Sequence, residues 1–130
     1  MKNFSLSYQF GYLVATLKLK KATIMEAIDF KSILDEEIHK GQYNIIIDLN
    51  DCEYIDSTFI GVLVVTWKKL RSNGGTLKLV KLGSFVHSVF YLSGAVELFE
   101  HYQSVEEAIS SFITPIEDYY SSNKPKDNRI

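Results

Sequence analysis

The sequence predicts an α/β fold: a mixed β-sheet that begins with a hairpin, continues by alternation of strands and helices, and carries about four helices packed on it. Three observations predict it. Residues 4–10 alternate apolar and polar side chains and lead through Gly11 into a second strand-like run, the pattern of a hairpin. Ile45, Ile46 and Ile47 form a β-branched run, as expected of a strand covered on both faces. Beyond residue 23 the apolar period changes from two to helical spacing, and each helical stretch after the first is preceded by a strand-like one.

In chain order, residues 4–10 are a half-buried strand and 12–19 its partner. Lys18 and Lys20 alternate with Leu17 and Leu19, so this second strand is given a wet face and a place near a sheet edge. Ile24, Ala27, Ile28, Leu34 and Ile38 then mark a helix, with Thr23 as its cap and Lys40-Gly41 as its stop. The buried strand covers 44–49. A second helix runs from about Thr58 to Ser72, with Lys68, Lys69 and Arg71 favouring its C-terminal dipole, and Asn73-Gly74-Gly75 ends it. A strand over 76–81 follows, then a third helix capped by Ser84 and closed at Gly94. Residues 98–102 make a short last strand, and Ser104-Val105-Glu106-Glu107 is a capping box for a fourth helix. The order is β-β-α-β-α-β-α-β-α. One domain is assigned to 1–114. The polar stretch 115–130 is expected to be a disordered tail.

Composition narrows the function. Fourteen basic and sixteen acidic residues give a formal charge of -2, without the basic excess of a nucleic-acid surface. The lone cysteine, Cys52, has no disulfide or zinc partner, which fits a reducing compartment. The first seven residues lack the apolar core of a signal peptide, and no apolar run approaches bilayer length. The expectation is a soluble cytoplasmic domain with no membrane contact.

Enzyme chemistry finds little support. Gly74-Gly75 and Gly83 match no phosphate-binding loop. His39, His87 and His101 lie on separate elements without paired ligand spacing. Ser57 lacks the glycine two residues before it that a nucleophile elbow requires. Asp48, Asp51, Glu53 and Asp56 sit where a buried strand reaches solvent, with no lysine completing a receiver-type site. A non-enzymatic protein without cofactor or metal is predicted.

Attention therefore falls on Asp56-Ser57-Thr58, at the start of the second helix. Ser and Thr are favoured caps, so one of the two hydroxyls can cap the helix. A hydroxyl there can also be phosphorylated, because a helix N-terminus accommodates phosphate. Asp51, Glu53 and Asp56 would oppose that added charge, which suits it to disturbing an interface more than to stabilising the fold. On the residues alone the capping reading has the edge.

The run from Ile46 through Asp56-Ser57-Thr58 resembles the signature of STAS domains, specifically of bacterial anti-sigma-factor antagonists. The likeness continues in Gly61-Val62-Leu63, in residues 69–80, in Val89-Phe90-Tyr91-Leu92-Ser93-Gly94-Ala95 with Leu98-Phe99, and in residues 104–108. The resemblance implies that Ser57 is phosphorylated by an anti-sigma factor that is itself a serine kinase, with Thr58 as the secondary candidate. It implies that the unphosphorylated protein binds that kinase and releases sigma factor, and that a PP2C-type phosphatase resets the switch. Asp56, Ser57, Thr58 and Phe59, together with the Gly83-Ser84 turn, are the expected partner contacts. Two departures stand out. Phe59 occupies a place where the family usually has glycine, and residues 19–23 lack the aspartate of the family's turn before the first helix. Phe59 motivates an alternative, a STAS scaffold that binds signalling or transport partners without a phospho-switch, since an exposed aromatic is a typical interface anchor.

Overall fold

In the computed structural model, which describes residues 3–113, the leading hairpin forms as the alternation requires. β1 (Phe4–Gln9) pairs antiparallel with β2 (Tyr12–Leu17), and Gln9 lies opposite Tyr12. The two-residue turn between them places both Phe10 and Gly11 at positive φ, 55° and 84°. Such turns match the right-handed twist of the strands. Glycine enters this region freely, whereas Phe10 does so at a steric cost.

The remaining elements are β3 (Lys21–Ala22), α1 (Ile24–His39), β4 (Asn44–Asp48), β5 (Tyr54–Ile55), α2 (Ser57–Ser72), β6 (Thr76–Val80), α3 (Ser84–Leu92), a 3₁₀ turn (Ala95–Glu97), β7 (His101–Tyr102) and α4 (Val105–Ile113). The main sheet has the order β1-β2-β4-β6-β7. β2, β4, β6 and β7 run parallel, and only the β1–β2 pair is antiparallel. The predicted mixed sheet is therefore present. β3 and β5 form a separate parallel pair that the sequence reading does not contain.

Alternation along the strands sends residues to two unequal cores. Leu13, Ala15, Leu17, Ile45, Ile47, Leu77 and Leu79 pack with Phe30 and Leu34 of α1, Phe59, Leu63 and Leu70 of α2, and Phe90 of α3. Val14, Ile46 and Val80 face the other way, against Val105, Ala108 and Ile109 of α4. The isoleucine run of β4 is β-branched throughout because both faces are covered. Lys78, on the α4 face, is buried: its ammonium donates to Ser111 Oγ at 2.6 Å, pairs with Glu100 at 3.1 Å and lies 4.0 Å from the Phe112 ring centroid.

Several expectations are corrected. β2 lies between β1 and β4, one strand in from the edge as expected, but four of its six residues are buried and it lacks the expected wet face. Lys18 and Lys20 are outside it, since the strand ends at Leu17. The last strand is only His101–Tyr102, the two residues that pair with Leu79 and Val80 of β6, and Leu98 instead caps the 3₁₀ turn before it. Ser84 is the first residue of α3; its N-cap is Gly83, with no side-chain capping bond. The helix start assigned to Thr23 holds, reinforced by a capping box with Glu26. Gly75 is required by contact: a Cβ there would lie 1.8 Å from the Tyr43 carbonyl oxygen. The predicted domain limit at 114 and the polar tail 115–130 lie outside the described residues.

Candidate functional site

The short β3–β5 pair positions the site. Lys21 lies opposite Tyr54 and Ala22 opposite Ile55, and the Asp56 N–H extends this ladder by donating to the Ala22 carbonyl at 3.0 Å. Two parallel strands in register deliver their chains side by side into α1 and α2. The helix N-termini therefore begin next to each other.

Asp56 joins them. It is the N-cap of α2, with extended backbone (φ -105°, ψ 171°), and its Oδ1 accepts from the Phe59 N–H at 2.9 Å. Its Oδ2 accepts from the Ile24 N–H of α1, also at 2.9 Å. One carboxylate thus meets an orphan donor from each of two helix starts, where the positive ends of both dipoles favour it. The capping assigned to Ser57 or Thr58 is corrected accordingly: Asp56 caps the helix, which starts at Ser57 rather than near Thr58.

Ser57 and Thr58 are both exposed, and neither side chain makes a hydrogen bond among the described residues. As the first two helical residues, their own N–H groups have no carbonyl of a preceding turn to meet. A hydroxyl free of structural duty therefore stands beside unsatisfied donors. The elements joined at Asp56 carry exposed apolar side chains. Ile24, whose N–H meets Asp56, is 59% exposed, and Met25 and Ile28 on the same helix are 80% and 74% exposed. On the other side Tyr54 stacks on Phe85 at the start of α3, centroids 5.6 Å apart, with both rings partly open to solvent. Gly83 and Ser84, also exposed, adjoin Phe85. Further along α2, Gly61 has open space above it and Val65 is exposed.

Phe59 is the clear disagreement with expectation. Its side chain is 0% exposed and stacks on Phe30 at 5.2 Å, while Phe30 packs on Phe4 at 4.8 Å. It is a core residue and offers no surface to a partner, so the scaffold alternative loses the residue that motivated it. The Tyr54–Phe85 stack links the strand that leads into Asp56 to the first turn of α3, where Phe85 follows Gly83 and Ser84. Cys52 is buried, and burial pushes its thiol up against the lowering effect of hydrogen bonding to the Tyr54 and Ala22 backbone; such a thiol is a poor nucleophile. Ile24 and Met25 are the site neighbours that the sequence reading missed. The apolar stripe read along the first helix includes Ile24 and Ile28, yet both are exposed while Ala27, Phe30 and Leu34 are buried, so the pattern alone pointed them to the core and not to the site.

Among the described residues no helix is long and apolar enough to cross a membrane, and no three metal-ligating side chains converge on a site that could hold an ion.

Comparison with known proteins bears on this geometry. The sequence model of the STAS domain family matches residues 23–108, a span that begins at the α1 cap and ends inside α4. The chain is 30% identical over 106 residues to a Bordetella bronchiseptica protein provisionally named anti-sigma factor antagonist BtrV, covering 82% of this chain and 90% of that one. The crystal structure of a Thermotoga maritima protein, also provisionally described as an anti-sigma factor antagonist, superimposes with a TM-score of 0.74 at 31% identity, over 83% of this chain and 92% of the other. The antagonist SpoIIAA, solved unphosphorylated and phosphorylated, superimposes with TM-scores of 0.74 and 0.66 at 21% and 20% identity. It covers 84% of this chain in both cases, and 95% and 98% of the SpoIIAA chains. At that identity the SpoIIAA likeness speaks to the fold alone.

Proposed function

Because the chain belongs to the STAS domain family, we propose that it is an anti-sigma-factor antagonist switched by phosphorylation of Ser57. In its unphosphorylated form it binds an anti-sigma factor that is a serine kinase, and sigma factor is released to direct transcription. A PP2C-type phosphatase removes the phosphate and restores binding.

The observation that carries this reading is the release of Ser57 from structural work by Asp56. The hydroxyl is exposed and sits at the first position of α2, next to Asp56, which accepts from the N–H of exposed Ile24 in α1, and three residues after Tyr54, which stacks on exposed Phe85. A partner seated on that apolar rim would bury Ser57. A phosphate adds close to two negative charges, and burying them without paired cations is strongly unfavourable. The same phosphate on the free protein stays in water beside unpaired N–H groups, where a helix start tolerates it. Phosphorylation would then break the complex and leave the fold intact. Thr58 is the secondary acceptor, and the Gly83-Ser84 turn extends the docking face.

The test is incubation with a cognate anti-sigma kinase and ATP, followed by phosphosite mass spectrometry and binding measurements. Phosphate should appear at Ser57, Ser57→Ala should bind the kinase without being modified there, and Ser57→Asp should bind weakly. An unmodified Ser57 together with unchanged binding by Ser57→Asp would refute the proposal.

A further inference from the structure

The sheet has a second place where a ligand can sit. β2, β4, β6 and β7 are parallel neighbours, and α1, α2 and α3 all pack on the face of the larger core. After β7 the chain crosses to the opposite face and forms α4. The exits of the adjacent strands β6 and β7 therefore part, one toward α3 and the other toward α4. In open α/β sheets a crevice forms outside the carboxyl ends of strands whose connections diverge in this way, and ligands bind there.

The crevice is present, with a volume of about 320 Å³, within the range of small-molecule sites. Lys81 and Leu82 leave β6 into it, His87 enters from α3, His101 and Gln103 come from the β7 edge, and Glu107 from the first turn of α4. The His87 and His101 rings meet edge to face with centroids 5.5 Å apart. Lys81 holds a positive φ of 62°, a costly conformation for a residue with a side chain and one found preferentially at ligand sites. Its ammonium is 3.6 Å from Asp48 Oδ2, longer than a close charge-assisted bond, so it retains donor capacity.

A metal cation fits this lining poorly. Glu107 Oε1 already accepts the Gln103 N–H at 2.9 Å, and the Lys81 ammonium would repel a cation in the same space. An oxyanion fits better: one ammonium and two imidazoles can each donate to a tetrahedral group with several free oxygens. The volume exceeds that of phosphate alone, and the second oxygen of Glu107 can accept from a hydroxyl of the remainder.

We propose that the crevice between α3 and α4 binds a small phosphate monoester, its phosphate held by Lys81, His87 and His101. The site is separate from Ser57 and does not depend on the phospho-switch.

Amide-resolved NMR titration of the full chain with glycerol 3-phosphate, inorganic phosphate and zinc chloride tests this. Glycerol 3-phosphate should shift amides near residues 81–87 and 101–107 saturably at millimolar concentration, more tightly than inorganic phosphate. Lys81→Met and His101→Gln, whose folding the same spectra report, should each weaken binding about tenfold or more, as loss of one charge-assisted hydrogen bond requires. Ser57→Ala should bind as the parent does. Tighter binding of inorganic phosphate would overturn the monoester assignment. Saturation by zinc alone, shifts centred on Ser57, or undiminished binding by folded Lys81→Met would overturn the site.

Discussion

Replacing Phe59 by alanine separates a core residue from an interface residue, and the structure predicts which it is. The ring is completely buried at the start of α2 and forms the last member of the Phe4–Phe30–Phe59 series. Burying a phenylalanine contributes about 1.5–3 kcal/mol by transfer alone. Truncation adds a cavity whose walls relax only in part, giving about 3–5 kcal/mol for Phe→Ala. The upper half of that range is expected here, because the ring contact with Phe30 is lost as well and Phe30 is pinned on its other side by Phe4. For a domain of this size that corresponds to a fall in Tm of roughly 10–20 °C. Urea and thermal unfolding measure the loss. Kinase binding, normalised to the folded fraction, should stay near that of the parent. A variant that unfolds within about 3 °C of the parent yet no longer binds partner would refute the argument and return Phe59 to the surface.

Other outcomes follow from the same geometry. Asp56→Ala should lower stability by about 2 kcal/mol, since it removes a cap worth about 1–2 kcal/mol and a second charged hydrogen bond. Ser57→Ala should stay within about 0.5 kcal/mol, and equal urea midpoints for the two variants would contradict the assignment of the cap. Burial pushes the Glu100 carboxyl up, but hydrogen bonds from Tyr102 and Lys78 outweigh it and hold the group below its ordinary value of 4.5. A carboxyl whose folded pKa is depressed contributes stability above its unfolded pKa and loses it as pH falls through the folded one. Glu100→Gln should therefore flatten the acid limb of the stability curve below about pH 4.5, by a small amount because the side chain is 64% exposed; an unchanged limb would count against the Lys78–Glu100 pair.

Much of the fold was legible because burial imposes a period. β4 announced its two covered faces through Ile45, Ile46 and Ile47, and Gly11 marked the hairpin turn. The β3–β5 pair was hidden because two residues on each strand cannot display a period. The cap of α2 was ambiguous for a chemical reason. Asp56, Ser57 and Thr58 are all favoured at an N-cap, and the choice among them depends on the ladder bond from Asp56 to Ala22, a partner 34 residues earlier in the sequence. Phe59 had a readable signal that its proximity to the serine obscured: it begins the stripe 59, 63, 66, 70 that forms the buried face of α2. His87 and His101 lack ligand spacing along the chain and meet only because β7 pairs with β6.

The double role of Asp56 changes what the Asp-Ser pair tells a reader of sequences. Such a pair invites interpretation as one word addressed to a modifying enzyme. Here its two letters have different authors. The aspartate answers to the architecture, because α1 and α2 begin side by side and one carboxylate closes both. The serine, with nothing to hold, remains available for chemistry. A chain that never met a kinase would still have reason to keep Asp56, so the first residue of the motif identifies a joint between helices, and only the second bears on the proposed switch.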